Sequence, residues 1–358
     1  MNFRLINSIL SRVIMLQGIL LLPSCLVGIL YHEWHDVLVY LIVSICCTLF
    51  GLLLYQVKPK SSTFYAREGF VAVSLSVIGA MPFYFSSDIP DFTDALFEII
   101  SGFTTTGSSI LLDVEALSHA NLFWRSFSHW IGGMGVLVFI LAILPMSGGS
   151  TMNLMKAESP GPSVGKLVPR IQQTAFLLYA IYFAMTIIEL ILLLCGSMRP
   201  FDALCLTLGT AGTGGFGIRN DSLASYSTYS QIVVTVFMFL FGVNFTFYYF
   251  ILINKVKDAL HMEEIRGYFI LFAAASVAIA VNLCLTGTPG FWHNLQQSAF
   301  QVASVMTTTG YATADFNLWP TFSKVVLVGL MFIGACAGST GGGIKVSRIL
   351  IYVKQVRK

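Results

Sequence analysis

The sequence predicts an all-α polytopic membrane protein, and two observations carry this prediction. Of the 358 residues, 56% are hydrophobic and only 10% are charged, whereas a soluble globular protein carries about 25% charged residues. Apolar stretches of close to twenty residues also recur along the chain, and an α-helix needs about that length to cross a bilayer. A composition so poor in charge cannot form a water-facing surface, which excludes a soluble enzyme and a nucleic-acid-binding protein.

Eight apolar stretches predict membrane-spanning helices. We place them at Ile9–Leu30, Val37–Val57, Gly69–Phe85, Trp124–Met146, Ile171–Cys195, Gln231–Asn254, Tyr268–Leu285 and Phe322–Val353. Three shorter apolar segments lie between them, and each runs into a stretch rich in Gly and Thr: Phe92–Phe103, Phe201–Thr210 and Trp292–Met306. Because backbone that leaves a helix at membrane depth must line protein or water, we interpret the short segments as re-entrant half-helices.

The distribution of basic residues predicts the topology. Sixteen of the 20 Lys and Arg residues lie on one side if the N-terminus is cytoplasmic, and the outer side holds only Arg125, Arg199, Arg219 and Lys324. Lys and Arg accumulate in cytoplasmic loops, so both termini are expected in the cytoplasm and the half-helices on the outer side. Eleven of the 17 acidic residues fall on the outer side. An acidic vestibule would attract cations, although loops that are simply polar explain the same distribution.

The Gly/Thr stretches repeat. Residues 103–107 (FTTTG), 210–214 (TAGTG) and 306–310 (MTTTG) resemble one another, and each lies between a half-helix and a spanning helix. The sequence therefore divides into two leading helices over residues 1–65 and three pore repeats over 66–156, 157–262 and 263–358. Internal repeats of this period in a membrane chain indicate a duplicated pore or carrier.

The chemistry of these stretches favours an alkali cation. Potassium sheds its hydration shell only where a ring of oxygens replaces it, and backbone carbonyls bind weakly enough to release the ion again. Glycine tolerates the backbone angles that such a strand requires, and threonine adds hydroxyl oxygens. One such stretch is weak support for an ion filter, whereas three in equivalent positions are strong support.

Several motifs in the chain resemble those of the Trk/Ktr/HKT superfamily of potassium transporters, most closely the bacterial TrkH/TrkG type. The matching motifs are Ser101–Ser109, Trp130–Gly135, Ile143–Met146, Lys156–Pro162, Gly214–Phe216, Thr307–Tyr311 and Cys336–Val346. The resemblance implies a potassium-channel-like filter in a bacterial cytoplasmic (inner) membrane. The implied potassium-binding residues are Thr105, Thr106, Gly107, Gly212, Thr213, Gly214, Thr308, Thr309 and Gly310.

The resemblance also implies four repeats, a homodimer and a cytosolic nucleotide-binding regulator of the TrkA type, with potassium as substrate and no covalently bound cofactor. A fourth repeat is absent from this sequence. Two interpretations stay open: an incomplete chain of a full transporter, or a short form completed by another subunit.

Two further features carry functional hypotheses. A Gly-rich stretch interrupts the last predicted span, and both its composition and the resemblance predict an intramembrane gate of residues Gly338, Ser339, Thr340, Gly341, Gly342 and Gly343. A kinked, closely packed helix is the alternative. Glu189 is an acid inside a span, where it could couple transport to protons or sodium or form a structural hydrogen bond. The predicted function is potassium uptake through the filter; the alternatives are a secondary carrier coupled to sodium or protons, and a non-conducting fragment.

Overall fold

The computed structural model describes residues 3–55, 79–133, 135 and 171–356. These residues form fifteen α-helices and one short 3-10 helix, with no β-strand in the ranges described. The helices are α1 (Phe3–Leu20), α2 (Leu22–Leu30), α3 (Trp34–Tyr55), α4 (Met81–Phe85), α5 (Phe92–Phe103), α6 (His119–Gly133), α7 (Ile171–Cys195), α8 (Pro200–Ala211), α9 (Thr228–Phe241), α10 (Phe245–Leu252), α11 (Val256–Leu260), α12 (Glu263–Leu285), α13 (Phe291–Met306), α14 (Thr321–Phe332) and α15 (Val346–Val356). The all-α prediction is confirmed.

Four helical stretches are long and apolar enough to cross a membrane: Val13–Leu30, Trp34–Tyr55, Phe176–Cys195 and Glu263–Leu285. Each matches a predicted span to within a few residues. Large apolar side chains on these helices are exposed, such as Leu26, Leu53 and Ile270, as expected of surfaces that face lipid rather than water. The chain is therefore a multi-pass membrane protein.

Two of the predicted spans are not single helices. The stretch Gln231–Asn254 is broken into α9 and α10, which meet at an angle of 90°. The hydrophobic count could not show this break, because Gly242 and Val243 are both apolar. The last predicted span, Phe322–Val353, is divided into α14 and α15 by residues 333–345, so the predicted Gly-rich interruption is a true break in the helix. Most of Gly69–Phe85 and the second half of Trp124–Met146 lie outside the described residues, as do the motifs Ile143–Met146 and Lys156–Pro162.

The chain forms two compact units, and the first holds the described residues up to Thr104, residues 108–133 and 135, and the start of α7. Its helices α1 and α3 cross closely because a Cβ at Gly18 would lie only 2.8 Å from the Ser44 carbonyl oxygen, where glycine leaves room. The Ser44 hydroxyl donates a hydrogen bond of 2.6 Å to the Gly18 carbonyl at the same crossing. The carboxylate of Glu33 accepts hydrogen bonds from the backbone amides of His119 and Ala120, which begin α6. A carboxylate at a helix N-terminus satisfies amides that have no partner within the helix.

The second unit holds residues 105–107 and 180–356. Its core is aromatic and aliphatic, and Tyr268, Val302, Met306 and Leu327 are among its buried members.

The three predicted half-helices are present as α5, α8 and α13, and their observed bounds differ from the predicted ones by at most one residue at each end.

Candidate functional site

All three half-helices end in the same way. The residue after each helix is Thr104, Gly212 or Thr307, and it keeps right-handed helical angles. The next residue is a threonine with positive φ in every case: Thr105 at 54°, Thr213 at 51° and Thr308 at 59°. A threonine in this left-handed region is strained by about 1–2 kcal/mol, so the same strain at three equivalent positions marks a shared functional geometry.

Hydrogen bonds at the helix ends confirm this geometry in the second and third repeats. The amide of Gly214 donates to the Gly209 carbonyl over 3.0 Å, and the amide of Thr309 donates to the Ser304 carbonyl over 2.9 Å. Each bond spans five residues and closes a Schellman motif, which normally has glycine in the left-handed position. Gly214 therefore corresponds to Thr309 and not to Gly310.

The sequence comparison of residues 103–107, 210–214 and 306–310 pairs Gly214 with Gly107 and Gly310. The backbone geometry shifts the second repeat by one residue relative to that pairing. The glycines that have positive φ after the strained threonines are Gly107 at 72°, Gly215 at 83° and Gly310 at 91°. The equivalent segments are accordingly residues 104–107, 212–215 and 307–310. Gly212 still lies in the second segment, at the position of Thr104 and Thr307.

These segments lie against one another at their glycines. A Cβ atom added at Gly107 would overlap the carbonyl oxygen of Gly214, and one added at Gly215 would overlap the carbonyl oxygen of Thr309. Because Gly214 and Thr309 are equivalent, the second and third repeats each place the same carbonyl against the glycine of the repeat before them. A Cβ added at Gly310 would meet no atom within 4 Å in the described part of the chain. The three segments thus form consecutive sides of one site, hereafter called the filter segments.

Tyr311 links the third filter segment to the second. Its side chain is fully buried, and its hydroxyl lies 3.3 Å from the carbonyl oxygen of Leu206 and 3.4 Å from that of Phe216. Gly209 makes room for this phenol, since a Cβ there would overlap the Tyr311 oxygen. One side chain therefore contacts both the helix that enters the second filter segment and the residue that follows it.

The first repeat carries a buried ion pair. Glu98 on α5 and Arg125 on α6 are both buried, and their charged groups are 2.7 Å apart. Ser109 donates a hydrogen bond of 2.9 Å to Glu98, and the amide of Ile110 donates another of 3.2 Å. Counting back from the filter glycines, the corresponding residues are Leu206 and Gln301. The ion pair thus fixes the backbone two and three residues after Gly107.

The second repeat has a polar cluster at the start of α8. Asp202 is buried and accepts a hydrogen bond of 3.0 Å from the Tyr226 hydroxyl, and it pairs with Arg199 and Arg219. Burial, and then the nearby Asp202 carboxylate, raise the pKa of Tyr226 above its ordinary value. Asp202 and Glu98, both predicted to lie on the outer side, are buried and paired, so neither residue contributes a free charge to an acidic vestibule.

Residues 333–345 form a loop whose two ends meet. The amide of Gly334 donates to the Ile344 carbonyl over 2.9 Å, and the amide of Ile344 donates to the Phe332 carbonyl over 3.2 Å. Gly338 and Gly343 have positive φ, at 70° and 73°. We call this stretch, which contains all six predicted gate residues, the Gly-rich loop.

The Gly-rich loop packs against the third filter segment. The amide of Gly342 donates a hydrogen bond of 2.7 Å to the Thr308 hydroxyl. A Cβ added at Gly341 would lie 2.9 Å from the Thr307 carbonyl oxygen, which is closer than real Cβ contacts allow. Only glycine fits at that point, so the loop and the filter segment approach as closely as two backbones can.

The Gly-rich loop also contacts the break between α9 and α10. The amide of Cys336 donates to the Gly242 carbonyl, and the amide of Phe245 donates to the Gly338 carbonyl, both over 3.0 Å. Asn244 caps α10 by accepting a hydrogen bond of 2.9 Å from the Thr246 amide. Asn244 thus stabilises the bend between the two helices.

Glu189 lies behind the filter segments. It is fully buried in α7, and neither of its carboxyl oxygens has a hydrogen-bond partner among the described residues. Thr210 at the end of α8 and the phenol of Tyr311 are polar groups near it. The Thr210 hydroxyl donates its own hydrogen bond to the Leu206 carbonyl over 2.8 Å. Glu189 therefore contacts the scaffold that supports the second and third filter segments.

Broken helices, half-helices and strained Gly/Thr segments in a multi-pass fold define a membrane transport protein. The family model described as "TrkH: Cation transport protein" matches residues 36–281 and 293–358. The chain therefore belongs to the TrkH family of cation transport proteins. Members of this family are transporters and not enzymes, and membership implies no cofactor.

Individual relatives agree with this assignment. The Trk system potassium uptake protein TrkH of Salmonella typhimurium is 34% identical over 99% of this chain and 76% of its own length. The Trk system potassium uptake protein TrkG of Escherichia coli is 31% identical over 99% of this chain and 75% of its own length. The crystal structure of the potassium transporter TrkH from Vibrio parahaemolyticus covers 100% of this chain and 75% of that one, with a TM-score of 0.86 and 29% identity.

Proposed function

We propose that this chain takes up potassium across the bacterial cytoplasmic membrane, with the filter segments as its selectivity filter. The observation that carries this proposal is the contact of the Gly214 and Thr309 carbonyls with Gly107 and Gly215. Contacts so close bring carbonyl oxygens of successive repeats together, and such oxygens can replace the hydration shell of a potassium ion. The relatives named as potassium uptake proteins support the choice of ion.

The potassium ligands that we propose are Thr105, Thr106, Gly107, Gly212, Thr213, Gly214, Gly215, Thr308, Thr309 and Gly310. Gly215 joins the set because its backbone angle matches those of Gly107 and Gly310. The three pore repeats proposed from the sequence each supply one side of this filter. A fourth side is required to surround an ion, and we propose that it lies against Gly310, where an added Cβ would meet no described atom.

The Gly-rich loop, with Gly338, Ser339, Thr340, Gly341, Gly342 and Gly343, is the proposed gate. Its support is the hydrogen bond between Gly342 and Thr308, which links the loop to the filter. The proposed assembly is a homodimer regulated by a cytosolic nucleotide-binding protein of the TrkA type. This part of the proposal rests on family membership alone.

A flux measurement in liposomes tests the proposed pore against a coupled carrier. For a pore, potassium flux should follow the applied voltage with no fixed ratio of protons or sodium ions. Flux in a fixed ratio to either ion would favour a carrier, for which Glu189 is the candidate coupling residue. No flux from a folded, reconstituted chain would favour a non-conducting fragment.

The proposed topology, with both termini in the cytoplasm, is tested by cysteine labelling. Ala224 and Gln355 are exposed and lie on opposite sides of the membrane in this topology. In a background without native cysteines, Ala224→Cys should react with an impermeant reagent from outside intact cells, and Gln355→Cys only after the cells are opened. The reverse pattern would overturn the arrangement.

A further inference from the structure

Glu264 contacts the Gly-rich loop on both sides of its glycines. The residue lies in the first turn of α12 and is partly buried. Its Oε1 atom accepts a hydrogen bond of 2.7 Å from the amide of Ala337 and another of 3.2 Å from the amide of Ser347. One carboxylate oxygen therefore joins two backbone positions that are ten residues apart and enclose residues 338–346.

These two contacts differ from the other anchors of the loop. The other hydrogen bonds that leave the loop for distant residues in the described part of the chain run to the backbone at Phe241, Gly242 and Phe245 or to the hydroxyl of Thr308. Glu264 supplies a charged acceptor, and hydrogen bonds to a charged acceptor are roughly twice as strong as neutral ones. Ser347 is also the second residue of α15, so the same carboxylate caps a helix N-terminus whose amides would otherwise have no partner.

Lys345 forms contacts within the Gly-rich loop. Its side chain is buried, and its ammonium contacts the carbonyl oxygens of Gly341 and Gly342. Any displacement of the Gly-rich loop away from the filter must change the path from Ala337 to Ser347, and so must stretch or break at least one of the Glu264 contacts.

We propose that Glu264 is a positioning residue that clasps the Gly-rich loop and sets how often it leaves the filter. This inference rests on the proposed function of the loop as a gate. Glu264 can accept from both amides only when the loop lies against the third filter segment, which we call the closed arrangement. Its loss therefore shifts the population toward the open arrangement, in which the loop has left the filter segment.

The neighbouring residue provides a matched control. Glu263 has the same side chain on the same helical turn, but it is exposed and pairs with Lys354 near the end of α15. The test compares Glu264→Ala, Glu264→Gln and Glu263→Ala in the intact protein. Hydrogen exchange of a peptide covering 334–347 reports on the clasp, and potassium flux in liposomes, with and without the cytosolic regulator, reports on gating.

We expect exchange of the loop amides to be about tenfold faster in Glu264→Ala, as for the loss of a charge-assisted hydrogen bond. Flux without the regulator should rise severalfold. Glu264→Gln keeps an oxygen that can accept from both amides, so its effect should be smaller, and it replaces the Ala variant if that protein does not fold. Glu263→Ala should resemble the parent in both measurements.

Equal loop exchange in the Glu264 and Glu263 variants would overturn the clasp, whatever the flux. Faster exchange without higher flux would overturn the role of Glu264 in gating. Deletion of the loop then separates the two ideas: if the deletion raises flux although Glu264→Ala does not, the loop is a gate but Glu264 does not control it. If neither change raises flux, the proposed gate is itself wrong.

Discussion

The backbone amide of Gly342 donates a hydrogen bond of 2.7 Å to the side-chain hydroxyl of Thr308. Thr308 is the strained, left-handed residue of the third filter segment, so the Gly-rich loop is bonded to that segment and not to a neighbouring helix alone. A movement of the loop must break this bond, and the geometry of the filter and the position of the loop are therefore coupled at one atom pair.

Replacement of Thr308 tests this coupling. Thr308→Val keeps the branched shape but removes the acceptor, and a neutral hydrogen bond contributes about 1 kcal/mol. We expect potassium flux to rise about fivefold, the factor that corresponds to that free energy. Thr308→Ser, which retains the hydroxyl, is the control and should conduct like the parent. Identical flux in all three proteins would show that the bond does not restrain the loop.

The register of the second filter segment gives a sharper test than the presence of glycines. Gly215 has a φ of 83° and no room for a Cβ beside the Thr309 carbonyl, whereas Gly214 is not among the positive-φ glycines. Gly215→Ala should therefore abolish uptake or lower potassium-over-sodium selectivity, and Gly214→Ala should be milder. Competition between the two ions in uptake assays measures the difference. The opposite order of severity would restore the alignment on Gly214.

Part of this register is visible in the sequence, because an aromatic residue, Phe216 or Tyr311, directly follows Gly215 and Gly310. The alanines that precede the glycines do not fix it, since Ala95 and Ala203 lie twelve residues before Gly107 and Gly215 but Ala299 lies eleven before Gly310. The half-helices were predictable because their lengths and apolar faces are local properties. The contact of Gly342 with Thr308 was not, because it joins residues 34 positions apart across a loop without periodicity.

The ion pair between Glu98 and Arg125 should be needed for stability as well as selectivity. Glu98→Gln leaves a buried guanidinium without its counter-charge, and breaking a buried pair in this way costs about 3–5 kcal/mol. We expect a lower thermal midpoint in detergent and weaker discrimination against sodium, because the amide keeps only one acceptor oxygen for Arg125, Ser109 and Ile110 beside Gly107. Asp94→Asn, about one turn earlier on α5, is the control. Parent-like stability and selectivity in Glu98→Gln would contradict a positioning role for the pair.

Glu189 distinguishes a pore from a proton-coupled carrier. Its carboxyl is buried near Thr210 and Tyr311 and has no hydrogen-bond partner in the described part of the chain, so an amide of similar shape can take its place without losing a described hydrogen bond. We expect Glu189→Gln to retain potassium flux and its dependence on voltage, with pH dependence like that of the parent between pH 6 and 8. A variant that binds potassium but no longer moves it, or that loses a pH dependence present in the parent, would identify Glu189 as a coupling group.

Deletion of Gly338–Gly342 tests the gate as a whole. The deleted residues include the carbonyl of Gly338, which accepts from Phe245, and the amide of Gly342, which donates to Thr308. A chain without them can still join α14 to α15, because the ends of the loop already meet at Ile333 and Ile344. Potassium flux should therefore increase and depend less on any cytosolic regulator. Selectivity should be kept, since the filter segments retain their own hydrogen bonds at the helix ends. If a stably folded deletion variant conducts no more than the parent, the Gly-rich loop is a packing element, and the control of flux must lie elsewhere in the chain.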